Sequence, residues 1–134
     1  MSFDSDKWFF VFGTLKPGFT QFSWNLQIHN DHFKLACHKA YLRDYELYQC
    51  KYPTIIQEAG KYVEGYIITS EKWDELVKIC DEIEEYPAYY TRFQVQVELD
   101  EDPQKKVTAW VYQMQPDRYK LEELERIGPS FQPK

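Results

Sequence analysis

Between Ser70 and Pro87 the apolar residues Trp73, Leu76, Val77 and Cys80 recur at spacings of three, one and three, the period of a single helical face. The rest of the chain is patterned for strands. Lys7–Leu15 (KWFFVFGTL) is aromatic and β-branched enough for a buried strand. Thr91–Leu99 alternates strictly, with Phe93, Val95, Val97 and Leu99 on one face. One helix set among strands restricts the chain to the α+β class, with a mixed or antiparallel sheet able to curl into a small β-barrel. Ser70 is the expected N-cap, Glu71 lies in the first turn, and Pro87 forbids continuation.

The next place on the helical stripe, four residues beyond Cys80, is Glu84. A carboxylate therefore stands where a core residue is expected. Burial disfavours its charged form, the carbonyl end of a helix repels negative charge, and Asp81, Glu82 and Glu85 add like charges. All three effects push its pKa upward, as a proton-transfer group requires. The alternative is a helix that ends one turn early and leaves Glu84 in solvent, as most glutamates are.

Lys16-Pro17-Gly18 is a turn signal, so Phe12-Gly13-Thr14-Leu15 is where the first strand opens into a loop. Glycine there would let backbone N–H groups face a ligand. Phe19–Phe33 reads ambiguously: Phe22, Leu26 and Phe33 could form one face of a short helix, and His29-Asn30-Asp31-His32 reads as a polar turn. His29 and His32, with His38 nearby, invite a zinc site. No carboxylate or cysteine pair stands at ligand spacing, so a solvated turn is preferred and no metal or cofactor is expected.

Lys34–Tyr48 reads as one or two strands kinked near Arg43-Asp44. Thr54–Gln57 is a short apolar segment, Glu58-Ala59-Gly60 a turn, and Lys61–Thr69 a further strand broken at Gly65. Four strand candidates thus precede the helix. After Thr91–Leu99, Asp100–Gln104 is a turn and Val107–Met114 the hairpin partner, with Trp110 and Tyr112 on one face. Lys120–Ile127 is a short helix candidate closed by Gly128-Pro129.

The 134 residues show no composition break, so a single domain over 1–134 with its core at about 7–115 is expected. Net charge −6 argues against nucleic-acid and anionic-membrane partners and favours a small neutral or zwitterionic ligand. Eleven Tyr and nine Phe suit a strand-rich core or a pocket walled by rings. Cys37, Cys50 and Cys80 are odd in number and widely spaced, and no signal peptide is apparent, which together predict a reduced, cytoplasmic protein, expected to be a monomer.

An ordered set of short motifs then stands out: Val11 to Leu15; Leu47-Tyr48 with Tyr52-Pro53; Val63-Glu64-Gly65-Tyr66; Asp81-Glu82-Ile83-Glu84; Pro87, Tyr90 and Arg92; Ala109-Trp110-Val111-Tyr112. Over roughly residues 8 to 114 it resembles the gamma-glutamylcyclotransferase-like family. The resemblance implies a small β-barrel with flanking helices, and conversion of a gamma-glutamyl amine or peptide to 5-oxoproline and a free amine without metal or cofactor. Glu84 matches the family's catalytic glutamate. Phe12, Gly13, Thr14 and Leu15 match its substrate-binding loop, whose N–H groups hold either the oxyanion or the substrate α-carboxylate. Tyr112 would close the cavity and donate a hydrogen bond. Tyr90 and Arg92 match a Tyr-x-Arg pattern that either supports the site or touches substrate. Two departures stand beside this: Glu85 replaces the glycine usual after the catalytic glutamate, and Phe12 replaces a tyrosine. A non-catalytic module binding a small metabolite on the same fold is the competing function.

Overall fold

The computed structural model describes residues 3–12, 34–49 and 52–129. Along the chain these form β1 (Phe9–Val11), β2 (Ala36–Gln49), β3 (Pro53–Thr69), helix α1 (Trp73–Ile83), β4 (Tyr90–Leu99), β5 (Lys106–Met114) and β6 (Glu125–Gly128). Alternation in the first strand decides which way the sheet curls. Trp8, Phe10 and Phe12 join Ala40, Leu42, Val97, Ala109 and Val111 in one buried cluster, whereas Phe9 and Val11 join Leu76, Cys80 and Tyr112 in another. The first cluster fills a barrel and the second lies between the barrel wall and α1.

The barrel closes through five strands. β1 runs antiparallel to β3, with Phe9 opposite Ile68, and parallel to β5, with Phe9 opposite Trp110. β5 pairs antiparallel with β4, β4 with β2, and β2 with β3, which returns the ring to its start. β4 meets β2 only at Ala40 and Tyr41, and β6 adds to the same side of β2 farther along, at Leu47–Gln49. As the alternation predicts, Phe93, Val95, Val97 and Leu99 all face the barrel interior. Trp110 and Tyr112 share the outer face beneath α1.

The elements differ from the sequence expectations in several places. Thr54–Gln57 and Lys61–Thr69 are one strand, β3, so three strands rather than four precede the helix among the described residues. Glu58-Ala59-Gly60 is a bend within that strand, facing the register shift between Arg43 and Tyr45 on β2. There Asp44 turns to φ +66 and its Oδ1 accepts the Gly60 N–H at 3.1 Å. Gly65 does not break β3; it is the point where β1 approaches too closely for a side chain. Lys120–Ile127 is not a helix: a short 3-10 turn at Leu121–Glu123 leads into β6, where Ile127 packs on the barrel core. One α-helix, rather than several, flanks the barrel among the described residues.

Helix α1 starts at Trp73, with Lys72 rather than Ser70 at its N-cap, while Ser70 Oγ accepts the Lys72 N–H at 3.0 Å. Its apolar face buries Leu76 and Cys80 fully, the leucine alone contributing about 2 kcal/mol. Glu84 is the C-cap residue, its N–H still bonded to the Cys80 carbonyl at 3.0 Å, so the stripe does reach it. No helix among the described residues is long and apolar enough to cross a membrane.

Candidate active site

The last turn of α1 rests on the outer wall of the barrel, and there Glu84 is half-buried. Burial lifts its carboxyl from an ordinary 4.5 to about 7. Of the three causes expected from the sequence, desolvation is the one the structure supplies. Asp81 is neutralised by an arginine, and Glu82 and Glu85 are exposed. Glu84 also acts electrostatically on Cys80 and Tyr112, raising both, which places the three groups within one neighbourhood. The Cys80 thiol, fully buried and pushed well up, is no nucleophile.

Desolvation carries a linkage consequence with a definite sign. A carboxyl that titrates at about 7 when folded and 4.5 otherwise favours the folded state in its protonated form, so stability is lost as pH rises through that interval. Full expression of the shift is worth about 3 kcal/mol above neutrality. Denaturant titrations of wild type and Glu84→Gln are expected to diverge between about pH 5 and about pH 8, the glutamine variant gaining relative stability toward the alkaline end. A gap that does not change with pH would show the carboxyl to be solvated.

Beside Glu84, one helical turn back, Asp81 collects three hydrogen bonds. Arg92 Nε donates to its Oδ1 at 2.9 Å and Arg92 Nη2 to its Oδ2 at 3.3 Å, while the Tyr112 hydroxyl donates to Oδ1 at 2.6 Å. The guanidinium is held over the Tyr86 ring, 4.4 Å from its centroid, and 5.0 Å from that of Trp110. β4 and β5 set this up because Arg92 and Tyr112 are register partners projecting on the α1 side. In the sequence Asp81 reads as a like charge beside Glu84 and as the first residue of the Asp81-Glu82-Ile83-Glu84 motif, with no partner of its own. Its distinguishing signal, an acid three residues before Glu84 with an arginine on the following strand, needs the strand register to be read.

The other expected site residues fall differently. Tyr112 is buried, and its hydroxyl donates to Asp81 rather than into a cavity. Tyr90 donates its hydroxyl to the Pro53 carbonyl at 2.8 Å, tying β4 to the start of β3. Phe12 is buried in the barrel interior against Phe10, on the opposite side of the wall from Tyr112. Gly13, Thr14 and Leu15 lie outside the described residues, as do His29 and His32. His38 packs on Phe3 and Trp8 and lies 3.2 Å from Glu101. Among the described residues no group of three His, Cys, Asp or Glu is placed to hold a metal ion. Glu85 adopts φ +51, the left-handed region that favours glycine, so the departure noted at that position keeps a glycine-like backbone.

Adjoining this network, a cleft of about 240 Å³ runs between α1 and the sheet, lined by Phe9, Trp73, Asp74, Val77, Arg92 and Trp110. Phe9 stacks between Trp73 at 4.8 Å and Tyr112 at 5.5 Å, so the cleft floor and the Asp81 network share packed rings.

The described residues thus form a closed five-stranded barrel with one α-helix, the desolvated Glu84 at the end of that helix and an aromatic cleft between the helix and the sheet. The family model described as gamma-glutamyl cyclotransferase, AIG2-like, matches residues 9–129, and the chain belongs to that family. Among solved structures it is similar to an AIG2-like protein from Mus musculus, with TM-score 0.73 and 23% identity over 93% of this chain and 87% of that one. A protein of Arabidopsis thaliana superposes with TM-score 0.67 and 19% identity over 95% of this chain and 81% of that one. A gamma-glutamyl cyclotransferase matches with TM-score 0.57 and 18% identity over 81% of this chain and 66% of that one. These likenesses establish the fold. A comparison with curated proteins found no significant match.

Proposed function

We propose that the protein is a gamma-glutamyl cyclotransferase, converting a gamma-glutamyl amine or peptide into 5-oxoproline and a free amine with Glu84 as general acid and base. The observation that carries this reading is the desolvated Glu84 carboxyl, which titrates at about 7 at the end of α1 beside Tyr112. The substrate's own α-amino nitrogen is the nucleophile and attacks the γ-carbonyl carbon, so the protein needs no covalent intermediate. Three tasks remain: removing a proton from the attacking nitrogen, stabilising the oxyanion, and protonating the leaving nitrogen.

A carboxyl poised near neutrality performs the first and third with one proton, taken from the attacking nitrogen and returned to the leaving one as the C–N bond breaks. In this reading the N–H groups of Gly13, Thr14 and Leu15, which follow directly after Phe12, hold the oxyanion or the substrate α-carboxylate. Closing a five-membered ring from a held conformer removes most of the entropic part of the barrier. Arg92 acts through Asp81, whereas Tyr90 braces β4 against β3.

The test is a panel of gamma-glutamyl amides and dipeptides incubated with the protein and analysed for 5-oxoproline and stoichiometric amine. Release from at least one member above the uncatalysed rate is expected. Binding without turnover across the panel would leave a metabolite-binding module instead.

A further inference from the structure

Asp81 accepts from Arg92 through both oxygens and from Tyr112 through one, and a carboxylate so paired has no proton to give. The hydroxyl proton between Tyr112 and Asp81 therefore belongs to the tyrosine and points at Asp81. A phenol has one O–H, and once it is committed the oxygen has only lone pairs for any further partner. Tyr112 can then neither donate to an oxyanion nor serve as an acid; it can only receive an N–H or O–H. Arg92 fixes this polarity, because its fork grips both Asp81 oxygens while its plane is held over Tyr86 and near Trp110.

We infer that Asp81 is a positioning residue: clamped by Arg92, it takes the Tyr112 proton and makes the Tyr112 oxygen an acceptor for an N–H of the substrate's attacking amine. The identity of that donor rests on the cyclotransferase reading. With one N–H of the neutral amine on Glu84 and the second on Tyr112, the nitrogen lone pair is left to face the γ-carbonyl, and the proton passes to Glu84 as the C–N bond forms. Asp81 touches no substrate and acts through Tyr112.

The test is a double-mutant cycle on 5-oxoproline release combined with NMR of protein labelled at tyrosine Cζ. Tyr112→Phe identifies the Tyr112 resonance and is expected to lower kcat about tenfold, with a smaller change in KM. Asp81→Asn in the wild-type background is expected to lower kcat by about the same factor, and to cost little further in the Tyr112→Phe background. Its loss should be equal in both backgrounds if Asp81 is merely structural, which would overturn the proposal. The Tyr112 Cζ resonance is expected to move in Asp81→Asn while the remaining tyrosines hold still; an unmoved resonance also overturns it. Should Asp81→Asn fail to fold, hydroxyl exchange in the wild type decides: a Tyr112 proton exchanging as fast as those of exposed tyrosines would remove the clamp. A wild type that turns over no member of the panel would sink the cyclotransferase reading and with it the amine as donor, whereas the Cζ shift would still decide whether Asp81 holds the hydroxyl.

Discussion

Replacing Glu84 with glutamine is expected to reduce 5-oxoproline release about a thousandfold while leaving the barrel folded. The two side chains have the same length and nearly the same shape, so packing around α1 is retained. What is lost is the ability to take a proton from one nitrogen and return it to another. Glu84→Asp separates charge from position, because the shorter side chain keeps the carboxylate but withdraws it by about one bond, and displacement on that scale costs about a hundredfold. The wild-type kcat/KM should climb as pH rises through about 7, where the carboxyl becomes the base, and the residual activity of the glutamine variant should lack that limb. A glutamine variant that works within a few-fold of wild type would remove Glu84 from the reaction.

The position of Glu84 was legible because a helical stripe has a fixed step, and the residue four beyond Cys80 must share its face. The β4–β5 hairpin was legible for the parallel reason that strict alternation admits one pairing of faces. What escaped the sequence depended on partners far along the chain. Glu58-Ala59-Gly60 has the composition of a turn, and only the bulge at Asp44 on β2 makes it a bend in a continuous strand. Leu121, Leu124 and Ile127 stand three apart as in a helix, yet Leu121 is 73% exposed and Ile127 reaches the barrel because β2 offers an edge to β6. Asp81 belongs to the same class. Its neighbours in sequence are acids, and its physical neighbours are Arg92 and Tyr112, brought together by the β4–β5 register.

Gly65 makes the sharpest prediction about the scaffold. A methyl group placed there would collide with the Val11 carbonyl oxygen and lie 2.8 Å from Phe10 Cζ, and neither the paired backbone of β1 nor a ring packed in the barrel interior can move aside freely. Gly65→Ala is therefore expected to cost about 3 kcal/mol, read as a lower urea midpoint with an unchanged m-value. Gly60→Ala is the contrasting case. Its added carbon meets nothing within 4 Å, and the penalty is the φ of +83 alone, about 1 kcal/mol. The difference bears on the proposed function because Val11 is the last residue of β1, and Phe12 and residues 13–15, to which that proposal assigns substrate binding, follow it directly in sequence. Relief of the clash pushes the exit of β1 away from β3. At a temperature where both variants remain folded, Gly65→Ala should lose cyclotransferase activity and Gly60→Ala should keep it. Equal stability of the two variants would mean that β1 and β3 do not approach as closely as the barrel requires.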